Sequence, residues 1–185
     1  MSNDGKKEQL RKLVAEKSLL RGESFMLASG VSSNYYFNMK AAIFDPEGAT
    51  LIADLVLDAV QNFDIKNIGG LEMGAVPIAA CVSMRSFQRQ RPLPGFLVRK
   101  ETRAHGTQAR IEPPLPPGTR VAVVEDVTTT GASALQAAKV VVEAGCKVAV
   151  VVTIVDRLEG ATAAFAKQNL PFVALLRSDE FSLAE

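Results

Sequence analysis

Five short apolar runs recur along the chain, at residues 65–71, 95–99, 120–125, 147–155 and 172–176. None shows the sustained apolar–polar alternation of a strand with one wet face, so the runs describe strands buried on both faces. Helical spacing fills residues 76–87 and 132–144 between them. Buried strands interleaved with helices have one economical layered solution, a central parallel sheet with helices on both faces. The fold class is therefore α/β.

The rest of the composition narrows the field. At 185 residues the chain is expected to form a single domain, 1–185. Its 21 basic and 20 acidic residues leave a net charge of +1, so no global field recruits nucleic acid or an anionic membrane. Cys81 and Cys146 lie far apart and form no CxxC, which argues against a disulfide scaffold and a cysteine zinc site. His105 is the single histidine, so a histidine-ligated metal cluster is excluded and no metal site made by protein side chains is expected. The N-terminal MSNDGKKEQLRKL lacks the apolar core of a signal peptide. The longest apolar run, 148–155, is broken by Thr153 and suits a strand better than a membrane span. The reading is a reduced, cytoplasmic protein.

The N-terminal part departs from the alternation. Residues 6–18 carry the spacing of an amphipathic helix. Residues 25–44, with SGVSSNYYFNMK, read as short strands and turns, so residues 1–45 are expected to form a small hood. Asp45 and Pro46 then read as the N-cap and first residue of a helix. Residues 101–118 have no clear structure. A segment that long inside a compact domain is either a functional lid or a solvated hairpin. With Lys100 it gathers Arg103, His105 and Arg110, and the lid reading places a mobile loop at about 100–118.

The segment VAVVEDVTTTGAS, 121–133, carries the chemistry. A buried strand runs to two acids, Glu125 and Asp126, then a hydroxyl-rich turn with one glycine, then a helix. Ligands of open α/β sheets bind beyond the carboxyl ends of the strands. The helix N-terminus offers unpaired N–H groups and a positive dipole end, which suit a phosphate. Thr128, Thr129, Thr130 and Ser133 add hydroxyls, and Gly131 permits close backbone approach. The acids would repel the phosphate; they suit sugar hydroxyls or a hard cation. Together these parts describe a site for a ribose 5-phosphate. TTTGAS alone is equally compatible with an ordinary helix cap. There is no GxxxxGK[ST] and no GxGxxG, so neither a P-loop nor a Rossmann dinucleotide site is supported.

This segment resembles the phosphoribosyl-diphosphate signature of type I phosphoribosyltransferases. Other stretches resemble orotate phosphoribosyltransferases in particular: FMLASGVSSNYYFNMK (25–40), GGLEMGAVPIAA (69–80), FLVRKETRAHGT (96–107) and VDRLEG (155–160). The resemblance implies that Arg99, Lys100, Arg103 and His105 contact a diphosphate, from a loop shared across a homodimer. It implies that Glu125 and Asp126 hold the ribose hydroxyls, that Val127, Thr128, Thr129, Thr130, Gly131, Ala132 and Ser133 wrap the 5-phosphate, and that Thr129 and Arg157 bind orotate. Lys100, Arg103, His105 and Asp126 would be the catalytic set, with Mg2+ carried by the diphosphate. The family's loop usually has lysine at the position of Arg103; the guanidinium keeps the charge but is a planar fork. Ala28 replaces a lysine found in some members.

The implied reaction transfers the phosphoribosyl group to orotate in pyrimidine biosynthesis. A phosphoribosyltransferase for another base is the nearest alternative, and Arg157 argues against it. A non-enzymatic phosphoribosyl-diphosphate sensor that binds DNA would call for a helix-turn-helix and a basic face. A bare flavodoxin-like binding module has no use for the cationic loop. By spacing alone Arg157 also reads as a surface partner of Asp156, His105 as merely exposed, and Tyr35, Tyr36 and Phe37 as the packing of a small sheet or a stack beside a planar base.

Overall fold

The structure, a computed structural model, describes residues 2–26, 32–101 and 109–183. It opens with α1 (Asn3–Lys17), the hairpin β1 (Leu19–Met26) and β2 (Ser32–Phe37), and the short α2 (Lys40–Ile43). The remaining order is α3 (Pro46–Val60), β3 (Asn67–Leu71), α4 (Ala75–Gln88), β4 (Gly95–Val98), β5 (Ile111–Glu112), β6 (Arg120–Thr128), α5 (Ala132–Glu143), β7 (Lys147–Asp156), α6 (Ala161–Lys167) and β8 (Phe172–Arg177).

The central sheet has the order β5-β4-β3-β6-β7-β8. Every pairing from β4 to β8 is parallel, as the unbroken apolar runs require. The edge strand β5 pairs antiparallel with β4, so the sheet is mostly rather than wholly parallel. Two residues are too few to carry a period, which is why residues 101–118 read as structureless in the sequence. Residues 102–108, with Arg103 and His105, lie outside the described residues.

Consecutive residues of the strands face opposite layers. Ala122, Val124, Val150 and Val152 join a core with α3 and α4, on which α1 and α2 are stacked. Val121, Val123 and Val151 face a second core with α5, and Phe165 of α6 belongs to it. Helices therefore cover both faces. No helix among the described residues is long and apolar enough to cross a membrane.

Local sequence accounts for most boundaries. Asp45 caps α3 as read, its Oδ1 accepting from the Glu47 and Gly48 N–H groups at 2.9 Å each. Ser2 caps α1 through Gly5 N–H at 3.3 Å, so that helix begins earlier than residue 6. β1 starts at Leu19 and residues 40–43 are helical, so strands and turns do not fill all of 25–44. The strand expected to end at Glu125 continues to Thr128, because β7 keeps pairing with it as far as Asp156.

Residues beyond β8 seat the hairpin and α1. Phe37 meets Phe181 edge-on at 5.1 Å, Arg21 donates to the Ser182 carbonyl at 2.7 Å, and Lys7 pairs with Glu180 at 3.0 Å.

A charge cluster ties α1, α3 and α4. Asp54 is buried and accepts from Arg85 at 2.7 Å and Arg89 at 2.6 Å, with Lys6 at 3.3 Å. Burial pushes its carboxyl up, but the Arg85 hydrogen bond and the charges of Arg89 and Lys6 outweigh that and hold it down at about 2. A carboxyl held below its unfolded value of 3.8 stabilises the fold fully above that pH, and the contribution is lost as pH falls toward 2. Asp54→Asn is therefore expected to cost about 2 kcal/mol at pH 7. Urea-denaturation midpoints should show a constant gap from wild type above about pH 5 that narrows below about pH 4.

Candidate functional site

In this strand order β3 is flanked by β4 and β6, and the chain leaves β3 and β6 toward opposite faces of the sheet. That divergence opens a crevice at their carboxyl ends, where ligands of open α/β sheets bind. β3 leads through Glu72, Met73 and Gly74 into α4; β6 leads through Thr129, Thr130 and Gly131 into α5.

The two acids of β6 part across the sheet. Asp126 turns to the α4 side. A Cβ built on Gly74 would lie 2.7 Å from Asp126 Oδ1, so a larger residue there would push the carboxylate aside. Asp126 Oδ1 also accepts the Val127 N–H at 2.9 Å. Glu125 points into a cleft of about 110 Å³ lined by itself and by Val127, Thr128, Thr129, Thr130 and Gly131, with Ala132, Ser133 and Ala134 closing the helix end. Among the described residues, Glu125 Oε2 and Thr128 Oγ1 have no hydrogen-bond partner, though both are buried at the cleft wall. Burial, then the adjacent Asp126 charge, pushes the Glu125 carboxyl well up, while Lys100 draws it partly back.

The turn is shaped for an anion. Gly131 has φ +86° and no side chain caps α5, so the first N–H groups of that 12-residue helix open on the cleft. Phe165 supports the turn from beneath; a Cβ on Gly131 would stand 2.9 Å from its ring.

The cationic strand end differs from expectation in its partners. Arg99 is mostly buried and bound by Glu112 at 2.9 and 2.7 Å and by Glu72 at 3.3 Å. Glu72 also accepts the Lys100 N–H at 3.0 Å. Arg110 donates to the carbonyls of Arg99 and Lys100, both at 3.0 Å, so the two stems of residues 102–108 are bolted together. The Lys100 side chain is exposed.

Arg157 extends the ladder, its N–H donating to the Thr128 carbonyl at 2.9 Å. Its side chain is buried and does not pair with Asp156, whose carboxylate accepts the Leu158 N–H at 2.9 Å. Arg157 instead bonds Glu159 at 2.7 Å and Ser33 Oγ at 3.0 Å, and lies 4.2 Å over the Tyr35 ring. Tyr36 turns outward and stacks on Phe25 at 5.8 Å.

The crevice thus gathers Glu125 through Ser133, with Lys100 at its rim and Arg157 beside Thr128. Glu72, Gly74, Glu112, Ser33 and Glu159 were not foreseen as single positions, and Tyr35 was foreseen beside a base or in a small sheet rather than against Arg157. The glycine spacing of GGLEMG was the one available signal for Gly74.

A parallel sheet split at this point, an acid pair running into a hydroxyl-rich anion turn, and an N-terminal hood define a type I phosphoribosyltransferase. The orotate phosphoribosyltransferase of Rhodopseudomonas palustris (strain BisB18) is 44% identical over 185 residues, covering 98% of each chain. That of Bradyrhizobium diazoefficiens is 45% identical over 186 residues, again 98% of each. The crystal structure of Mycobacterium tuberculosis H37Rv orotate phosphoribosyltransferase in complex with 5-phospho-alpha-D-ribosyl 1-diphosphate superposes with a TM-score of 0.79 at 32% identity, over 95% of this chain and 98% of that one. No protein-family model matches the sequence. The chain belongs to the orotate phosphoribosyltransferase family.

Gly131→Ala meets both an unfavourable left-handed backbone and the Phe165 ring, and is expected to cost about 2 kcal/mol or more. Denaturation of Gly131→Ala, Phe165→Leu and the double variant should show the double costing less than the sum, because the smaller side chain frees the space the new methyl needs.

Proposed function

We propose that this chain transfers the phosphoribosyl group of 5-phosphoribosyl 1-diphosphate to orotate, giving orotidine 5-phosphate and diphosphate, in the cytoplasm and as a step of pyrimidine biosynthesis. The observation that carries the reading is the meeting of Asp126 with Gly74 across the crevice. It sets a sugar-binding carboxylate between an anion turn on one side and the start of α4 on the other.

The 5-phosphate is expected in the turn of Val127, Thr128, Thr129, Thr130, Gly131, Ala132 and Ser133, on the hydroxyls and the N–H groups of α5. Glu125 and Asp126 take the ribose hydroxyls, and the unpartnered Glu125 Oε2 gains a bond it lacks in the free protein. Arg157 meets the orotate carboxylate, with Thr129 beside the ring. The orotate nitrogen bonds to ribose C1 as the C1–O bond to diphosphate breaks, with positive charge developing at the sugar. No protein nucleophile is needed. The work of the chain is to orient two anions and offset the charge on the leaving group.

Lys100, Arg103 and His105 are the groups for that second task. Arg99 contact with the diphosphate would replace its Glu72 arm, at 3.3 Å the longest of its carboxylate bonds. Magnesium would be held mainly by the diphosphate, with Glu125 or Asp126 as a hard oxygen donor beside it. Bound there, magnesium neutralises part of the leaving-group charge.

We place a second copy of the chain on the outer face of α4. Met84 and Phe87 are exposed there at 61% and 76%, and Met73, 67% exposed, stands where the helix leaves the crevice. Exposed apolar side chains in line on one helix describe a surface built to be covered, and the partner's loop would then lie near this site.

Loss of orotate absorbance on adding phosphoribosyl diphosphate and magnesium tests the reaction directly. Asp126→Asn is expected to lower kcat/KM for phosphoribosyl diphosphate by about tenfold or more. Gly74→Ala, which displaces the same carboxylate, should fall at least as far; wild-type rates in both would remove Asp126 from the site. Phe87→Glu should shift the chain from dimer toward monomer in sedimentation.

A further inference from the structure

We infer that Glu72 competes with the diphosphate of the substrate for Arg99 and so limits how tightly that group is held, while Glu112 keeps the same guanidinium in place. The inference rests on the assignment of Arg99 to the diphosphate. Strand register sets the three residues side by side. Leu71 of β3 pairs with Val98 of β4, and the Glu72 N–H continues that ladder to the Val98 carbonyl at 2.8 Å. Leu97 of β4 pairs with Glu112 of β5. Alternate residues of a strand share a face, so Glu72 and Glu112 flank Arg99 on one face of the sheet.

The two carboxylates hold the guanidinium differently. Glu112 accepts from Nε at 2.9 Å and from Nη2 at 2.7 Å, a bidentate pair along one edge of the fork. Glu72 takes Nη1 with one oxygen at 3.3 Å, and its other oxygen accepts the Lys100 N–H at 3.0 Å. The long single bond is the weaker hold. Glu72 therefore stands beside the edge of the fork that Glu112 leaves, and it takes up the neighbouring N–H as well. A diphosphate reaching that edge meets a negative charge, whether it displaces the carboxylate or lies against it. Diphosphate is also a product, and product release limits many enzymes. A carboxylate that retakes Arg99 as diphosphate departs favours release. Arg110 secures the strand end independently, donating to the Arg99 and Lys100 carbonyls at 3.0 Å each. Glu72→Gln thus removes a charge without freeing the strand end. Glu72 and Glu112 are positioning residues that act through Arg99, with opposite effects.

Calorimetric titration of the full chain with magnesium diphosphate tests this. Glu72→Gln is expected to lower the Kd by about fivefold, and Glu112→Gln to raise it by about threefold. A residue that merely propped the crevice would weaken binding when changed, so the sign for Glu72→Gln decides. An unchanged or higher Kd in Glu72→Gln would overturn the competition, and tighter binding in both variants would overturn the division between the two carboxylates. Arg99→Met separates the levels. If it weakens diphosphate binding while Glu72→Gln leaves the Kd unchanged, Arg99 keeps its assignment and Glu72 loses its role. If Arg99→Met leaves the Kd unchanged, the assignment of Arg99 itself fails. No binding by the wild-type chain would remove the diphosphate site and the inference with it.

Discussion

Gly74 and the Asp126 carboxylate meet so closely that a methyl group on the glycine would displace the carboxylate from where it lies, and that contact joins the two sides of the crevice. β3 and β6 are neighbours in the sheet, yet their onward connections go to opposite layers. The helices they lead into must start close together, or the strand ends would stand open to solvent. A glycine at the start of α4 lets the β6 carboxylate come right up to the helix. The acid pair then splits between the two layers, Glu125 toward the α5 turn and Asp126 toward α4. One pair of adjacent residues thereby faces both sides of the crevice.

The chain is nearly neutral, and its charges work locally. Arg99, Glu72 and Glu112 show this at the rim of the crevice, where a cation expected to face a ligand is held by two carboxylates. Such an arrangement keeps a guanidinium ordered and partly desolvated in the absence of an anionic ligand. Arg157 obeys the same logic with Glu159 and the hairpin. In both places the protein supplies its own carboxylate beside the cation that an incoming anion would use.

Much of this was legible in the sequence because it is written locally. Buried parallel strands announce themselves by unbroken apolar runs, and Asp45 followed by Pro46 marks a helix start. The stretch 121–133 held strand, acids, turn and helix in thirteen consecutive residues. What stayed hidden was set by contacts between distant segments. Asp126 and Gly74 are far apart in the chain, as are Arg157 and Tyr35, and no periodicity links them. The partners of Arg99 depend on β5, a strand of two residues that lies beside a proline-rich stretch and leaves no pattern. The seven-residue α6 left no comparable mark, yet its Phe165 shapes the anion turn. The extension of β6 past Glu125 to Thr128 was missed because polar residues at a strand end look like a turn until the neighbouring strand is known.

The seating of the hairpin on the residues after β8 has a consequence for how the molecule comes into being. The hairpin precedes the whole sheet in the chain, but the ring of Phe181 and the carbonyl of Ser182 that steady it follow the last strand. The hairpin therefore gains its full set of contacts only once the residues beyond the final strand are in place.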